Sequence, residues 1–362
     1  ANGLLVATAG VNALITTLAT LGIFQGLAIL LGGPGIVDLP ESFCWLGQKE
    51  LLRLQLPVWF MLGLALVAHY ALRHTRYLRQ LYYLGSNPQA ARLSGNGEMP
   101  CSACHRPDLG WGTGGAISFG YPGTTHWRNS QTILNAAYYT KLFWDGSSVS
   151  LEAQAWSAAN GAVAGNGDDA MMEMRLAFAP EYRKTFKQVF GADWPMLNDA
   201  WKAIAAFERT LVSDPRKVPF ERYMMGDKNA ISEDAKRGLA LFQGKAACIT
   251  CHNGPLLSDD KYHRLGAPEP KEFKEDPLQQ ITVRWEVYQK GAPESVYRAI
   301  SDDLGLYYTT MRPADMRKFR TPSLREIKYT GPYMHNGAFA TLQDVIAFYN
   351  RGGGPDSELK PL

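Results

Sequence analysis

Apolar residues follow two different patterns along this chain. From Leu4 to Leu31 the sequence is apolar and almost uncharged, and a second such run extends from Leu54 to Leu72. Each approaches or exceeds the roughly 20 residues that a helix needs to cross a bilayer. Two transmembrane helices are therefore expected, with a pair of buried core helices as the alternative. The first run lacks a basic leading segment and a small-residue cleavage site, so it does not read as a signal peptide. Beyond residue 95 the pattern becomes amphipathic helices separated by Gly- and Pro-rich loops. Ala200 to Val212 places Trp201, Ile204, Ala205, Ala206, Phe207 and Leu211 around a largely apolar helix. Ser232 is positioned to cap a helix through Phe242 that stops at Gly244. Thr341 and Asp344 open another in capping-box fashion, followed by Val345, Ile346 and Phe348. Strand signals are scarce, and the expected fold class is all-α with long loops.

Two short strings change the picture: Cys101-Ser-Ala-Cys104-His105 and Cys248-Ile-Thr-Cys251-His252. Each has the C-x-x-C-H form of a c-type haem attachment site. Two thiols add across the haem vinyl groups, and the next residue supplies a nitrogen to the iron. A zinc site or a thioredoxin-like redox pair shares the cysteine spacing, but neither requires a His directly after the second Cys. Two copies in a chain with only 5 Cys and 7 His imply two covalently bound haem c groups. Cys101, Cys104, Cys248 and Cys251 would hold them, with His105 and His252 on the irons. Only Cys44 is left over, so a disulfide framework is absent.

Lys+Arg 37 against Asp+Glu 34 leaves a net charge of +3, which points to no nucleic-acid partner. Membrane contact is expected only through residues 1–95. Covalent haem is attached on the outer face of the bacterial inner membrane, so a periplasmic location is expected for the haem region. That conflicts with Arg73, Arg76 and Arg79, which follow the second apolar run and place its end in the cytoplasm by the positive-inside rule. Two unrelated segments joined near Gly95-Asn96-Gly97 would account for the conflict, with residues 96–362 as the functional unit.

Two resemblances bear on this division. Leu84-Gly-Ser-Asn-Pro-Gln-Ala-Ala-Arg-Leu-Ser-Gly95, with Thr75-Arg-Tyr, resembles the cytoplasmic loop of sugar-type ABC transporter permeases of the ribose and autoinducer-2 systems. Residues 1–95 then read as a permease-like transmembrane fragment, too short to transport anything. From residue 96 onward the chain resembles the bacterial di-haem cytochrome c peroxidase and MauG family. The markers are the two haem strings, Arg128-Asn-Ser, Leu134-Asn-Ala, Phe143-Trp-Asp-Gly, Leu151-Glu-Ala-Gln-Ala, Phe319-Arg-Thr-Pro-Ser-Leu-Arg and Tyr329-Thr-Gly-Pro-Tyr-Met-His-Asn-Gly.

The resemblance implies two cytochrome-c-like domains with one haem each. The first, peroxidatic, would span 96–225, and the second, for electron transfer, 226–362, with the family's usual final helix falling beyond Leu362. It implies an oxidoreductase that uses hydrogen peroxide. Electrons would come from a small cytochrome c or cupredoxin, or from side chains of a protein substrate. A non-enzymatic di-haem electron carrier is the alternative.

Site residues carry over in the same way. Trp144 matches the Trp between the haems, and Gln154 a distal-pocket glutamine. Asn129, Thr330 and Pro332 match a calcium site, whose oxygen donors suit a hard cation. Tyr349, fourteen residues after His335, matches the distal ligand of the second haem. The peroxidases have Met there and MauG has Tyr; a phenolate is the harder donor and favours the more oxidised iron. Tyr349 also shares a helical face with Leu342, Val345 and Ile346, and a buried core Tyr is the alternative. His126 reads either as a distal group on the first haem or as a surface His. One departure stands out: no Glu falls about ten residues after Gln154, where the family carries its acid. Asp168, Asp169 or Glu173 are the substitutes on offer.

Overall fold

The computed structural model describes Glu50, Leu51, Leu54, Gln55, Trp59, Gly63, 93–97 and 99–361. The chain divides into two compact units, Ala1–Thr75 and Arg76–Leu362. In the first, β1 (Glu50–Leu51) pairs antiparallel with β2 (Leu54–Gln55). The expected span Leu4–Leu31 lies outside the described residues, as does Leu54–Leu72 apart from Leu54, Gln55, Trp59 and Gly63. Among the described residues no helix is long and apolar enough to cross a membrane, so the two spans find no support there.

The second unit is built from helices and long loops. Its first half holds α1 (Leu151–Asn160), α2 (Asp169–Ala177), α3 (Pro180–Phe190), α4 (Leu197–Thr210) and α5 (Pro219–Met224). Local chemistry sets most of their ends. Ser150 Oγ accepts from the Ala153 amide at 3.1 Å and Asp168 Oδ1 from that of Met171 at 2.9 Å, each satisfying an orphan donor of a first turn. Pro180 opens α3, and Gly191 at φ 72° closes it in the left-handed conformation that suits glycine. The four longer helices bury one core: Ala155 of α1, Met172 and Leu176 of α2, Phe186 of α3, and Leu197, Ala200 and Trp201 of α4.

The second half holds α6 (Glu233–Gln243), α7 (Lys271–Glu275), α8 (Pro277–Gln289), α9 (Glu294–Tyr297), α10 (Tyr307–Thr310) and α11 (Leu342–Asn350). As expected, Ser232 caps α6 by accepting from the Ala235 amide at 3.2 Å, and Gly244 follows its end. Thr341 caps α11 by accepting from Asp344 at 3.2 Å. Two-residue strands β3 (Tyr262–His263) and β4 (Phe319–Arg320) pair antiparallel. Trp127 and Val163 from the first half complete the core of Phe273, Val283, Val287, Ile300 and Tyr307 from the second. The halves thus share apolar surface whose burial contributes about 1.5–3 kcal/mol per large side chain.

Two details of the helical patterns differ from expectation. Phe207 is half exposed and packs its ring against Trp111 at 5.7 Å rather than entering the core. On α11 the buried ring is Phe348, against Phe339 at 5.0 Å, while Ile346 is exposed. At each point the burial is decided by what lies opposite the helix, which periodicity alone does not encode.

Leu93–Gly97 belong structurally to the second unit. The Gly95 amide donates to the Gly165 carbonyl at 2.7 Å, and Arg175 donates to the Ser94 and Gly95 carbonyls.

Candidate functional site

The two C-x-x-C-H strings adopt the same local structure. Cys101–Ala103 and Cys248–Thr250 each form one 3₁₀ turn. The amide of His105 donates to Cys101 O, and that of His252 to Cys248 O, both at 2.9 Å. The rings are oriented alike: His105 Nδ1 meets the Trp111 carbonyl at 3.2 Å, and His252 Nδ1 the Leu257 carbonyl at 3.0 Å. A ring held through Nδ1 presents Nε2 to a metal, and the carbonyl fixes its tautomer. Burial, above all, lowers the pKa of both histidines and keeps them in the neutral form that ligates iron.

A cavity of about 420 Å³ opens at His105. Trp127, Trp144, Gln154, Arg320 and Tyr308 are among its lining residues, and so is His126. His126 is partly buried there. Burial first, then Arg128 and His105, push its pKa down to about 4 and leave it neutral. A smaller adjoining cavity reaches Cys101, Cys104 and Phe119, with Gln154 and His105 again on its wall.

Trp144 anchors the joint between the halves. Its Nε1 donates to the Asn129 carbonyl at 2.8 Å, and its own carbonyl accepts from the Arg320 amide at 2.9 Å. The turn after it needs Gly146, at φ 67°, because the Tyr262 hydroxyl sits where a Cβ would be. Asp145 and Arg128, with Asp303 from the second half, form a buried ionic triad. Arg128 Nη1 donates to Asp145 at 2.6 Å, while Nε and Nη2 grip Asp303 at 2.5 and 2.7 Å.

Asn129 lies against the loop that carries the other calcium candidates. Its amide donates to the His335 carbonyl at 2.6 Å, and its Nδ2 donates to the carbonyls of Gly115 and Ala116, both at 3.0 Å. With Nδ2 so engaged, Oδ1 is the side-chain atom whose chemistry suits a hard cation.

Beyond the second string, Tyr349 lies on α11, its ring 5.8 Å from that of Phe348. Burial first, then Cys251 and Cys248, push its phenol up to about 12. Among the described residues one group of metal-binding side chains gathers without a metal: Cys251, Asp259 and His263. Cys251 belongs to the haem string, so this cluster adds no separate zinc site.

The proposed replacements for the absent Glu are engaged elsewhere. Asp168 caps α2, Asp169 accepts from Trp156 and Asn160, and Glu173 accepts from Trp194 and from the Leu197 amide. The carboxyl that lines both cavities is Glu208. It is 7% exposed, and its Oε2 is buried with no hydrogen-bond partner. Burial pushes its pKa up to about 7. The sequence carried a signal for it: Trp201, Ala205 and Glu208 share one face of α4, and an acid on an apolar face is rarely idle.

Arg320 was also missed as a site residue. Its guanidinium stacks on Tyr139 at 3.6 Å and donates to Phe143 O and Gln131 at 3.3 Å. Its Nη1 is buried without a hydrogen bond, as is Asp260 Oδ1, 3.7 Å away. A buried guanidinium nitrogen at a cavity wall, ion-paired with Asp260 but without a hydrogen bond, suits an anionic group such as a haem propionate. The residues fit haem on three counts: paired thiols with an oriented neutral imidazole, adjoining space, and a cationic donor with one N–H not hydrogen-bonded.

Two such turns in one mostly helical unit define a two-haem c-type cytochrome. The family model "Di-haem cytochrome c peroxidase" matches residues 89–229. Cytochrome-c peroxidase IdrP1 of Pseudomonas sp. (strain SCT) is 64% identical over 275 residues, 75% of this chain and 73% of the relative. Methylamine utilization protein MauG of Methylorubrum extorquens is 36% identical over 263 residues, covering 72% and 66% of the two chains. A solved MauG-like protein associated with microbial copper homeostasis superposes with TM-score 0.60 at 29% identity, covering 75% and 76%. The chain belongs to the di-haem cytochrome c peroxidase and MauG family. It is a peroxidase-type oxidoreductase with two c-type haems, rather than a non-enzymatic carrier. These matches lend no support to the permease resemblance of residues 1–95.

Proposed function

We propose that this enzyme reduces hydrogen peroxide in the His105 cavity, with electrons arriving through the second haem site. The observation that carries this reading is the cavity itself, which sets His105, Gln154, His126 and Trp144 around one space. Residues 96–225 would form the peroxidatic domain and 226–362 the electron-transfer domain, both in the periplasm. Bound haem would supply the iron at which peroxide takes two electrons and two protons to give two waters. Donors of suitable chemistry are a small cytochrome c or cupredoxin, or oxidisable side chains on a protein substrate. Asn129, Thr330 and Pro332 would hold calcium at the junction of the halves.

The chain's own groups divide the remaining work. Gln154 and neutral His126 offer hydrogen bonds to a small polar substrate. Glu208 holds a proton beside the cavity. The Trp144 ring, held by its indole N–H on the Asn129 carbonyl while its backbone carbonyl accepts from the Arg320 amide, is the aromatic path between the sites. Anaerobic stopped-flow spectra of the two-haem protein mixed with peroxide test the reading; no change in either haem band would overturn it.

Glu208→Gln is expected to retain both covalent haems and to lower peroxide turnover by about 10²–10⁴-fold, the usual worth of a general acid. In the unmodified enzyme turnover should fall as pH rises through about 7, where Glu208 ionises, and this limb should vanish in the variant. A pH profile that keeps the limb would assign the proton to another group. Stability has the same sign: the folded pKa is raised above the usual 4.5, so stability is lost as pH rises from there through about 7.

Tyr349 favours a partner-protein substrate over simple peroxide removal. Tyr349→Met, exchanging a hard anionic donor for a soft one, is expected to raise the potential of the second haem in redox titration. An unchanged potential and spectrum would show that Tyr349 serves the core alone.

A further inference from the structure

A tyrosine on the cavity wall carries an arrangement that peroxide reduction does not use. The Tyr308 hydroxyl donates to Glu286 Oε2 at 2.8 Å, and both residues line the cavity that holds His105 and Trp144. Its ring meets Trp127 edge-on, with centroids 6.5 Å apart. Two cations face the same ring, Arg128 at 5.7 Å and Lys290 at 5.2 Å.

We propose that Tyr308 is a redox-active residue that yields one electron to the oxidised first haem centre while its phenolic proton passes to Glu286. The inference rests on the peroxidase reading for its oxidant, which is the haem centre after reaction with peroxide. The O–H bond of Tyr308 breaks, a bond to the proton forms at Glu286 Oε2, the haem centre gains one electron, and a neutral phenoxyl radical remains.

The two cations decide between routes. A ring that lost an electron and kept its proton would carry positive charge beside Arg128 and Lys290, in a partly buried site where such repulsion is weakly screened. Releasing the proton to Glu286 removes that charge. Loss of the proton first is blocked as well, since burial and then Glu286 hold the Tyr308 phenol far above its ordinary pKa. Electron and proton therefore leave together, and Glu286 is the one acceptor hydrogen-bonded to the phenol. Trp127, the neighbouring ring on the cavity wall, has Arg128 at 5.9 Å and so meets the same penalty. Tyr308 is the place where an oxidising equivalent rests.

The test is freeze-quench EPR of the two-haem enzyme, labelled with ring-deuterated tyrosine and mixed with peroxide. The expected result is an organic radical whose hyperfine pattern narrows with the label. It should disappear in Tyr308→Phe and form at least about tenfold more slowly in Glu286→Gln, which loses the acceptor but keeps the ring. A second arm replaces peroxide with a flash-generated ruthenium(III) oxidant. A haem band that ignores peroxide would sink the peroxidase reading, yet the ruthenium arm would still report on Tyr308 and Glu286. The same tyrosyl signal in Tyr308→Phe, or no tyrosyl signal in either arm, would overturn the proposal.

Discussion

Arg128→Met is expected to destabilise the fold by about 3–5 kcal/mol, the usual cost of breaking a buried ion pair by removing one partner. Arg128 serves two carboxylates, Asp145 and Asp303, each side chain 2% exposed. A methionine leaves both without their cation, and Asp303 keeps only lesser partners such as the Gly305 amide at 2.9 Å. Burial pushes the Asp303 carboxyl up, but Arg128 outweighs it and holds the group below the ordinary carboxylate range. The stabilisation is therefore present above the unfolded value near 3.8 and is lost as pH falls through the depressed folded value. In the variant the sign reverses for Asp303, because burial without Arg128 favours its protonated form. The loss measured by denaturant unfolding at neutral pH should shrink on acidification. An unfolding midpoint that matches the unmodified protein would show that the triad does not join the halves.

Replacing Cys101 and Cys104 together by serine is expected to remove one covalent haem of two and to abolish peroxide turnover. The second string should stay loaded, because Cys248, Cys251 and His252 form their own turn with an independent Leu257 contact. Haem content by absorbance per mole of protein, with the mass of the intact chain, gives the count. The mirror replacement of Cys248 and Cys251 should also leave one haem, with the His105 cavity still responsive to peroxide but without its supply of electrons. Two covalent haems in either variant would remove the basis for reading these turns as attachment sites.

Much of this site could be read along the chain because its chemistry is local. A C-x-x-C-H string closes its own 3₁₀ turn through hydrogen bonds that span four residues. The caps at Ser232 and Thr341 work over three. Such interactions require nothing from the rest of the fold, so spacing alone reports them. The family pattern added Trp144 and Gln154, which line the cavity at His105, and Tyr349, which lies on α11. Asp168, Asp169 and Glu173 show the limit of that approach. They sit near the right place in sequence, yet each is committed to a helix cap or to a neighbouring indole, amide or backbone group.

What the sequence by itself determined is thus the pair of haem turns, their histidines and the helices that frame them, all products of contacts a few residues apart. The tertiary structure decided which charged groups face the cavity and which pair across the halves. Glu208 and Arg320 were chosen as wall residues by what packs around them, and burial left each with an atom that makes no hydrogen bond. Arg128 meets Asp303 across 175 positions, and Tyr308 finds Glu286 one helix away. Their chemistry comes from low dielectric and enforced proximity, and both arise only when distant segments are brought together.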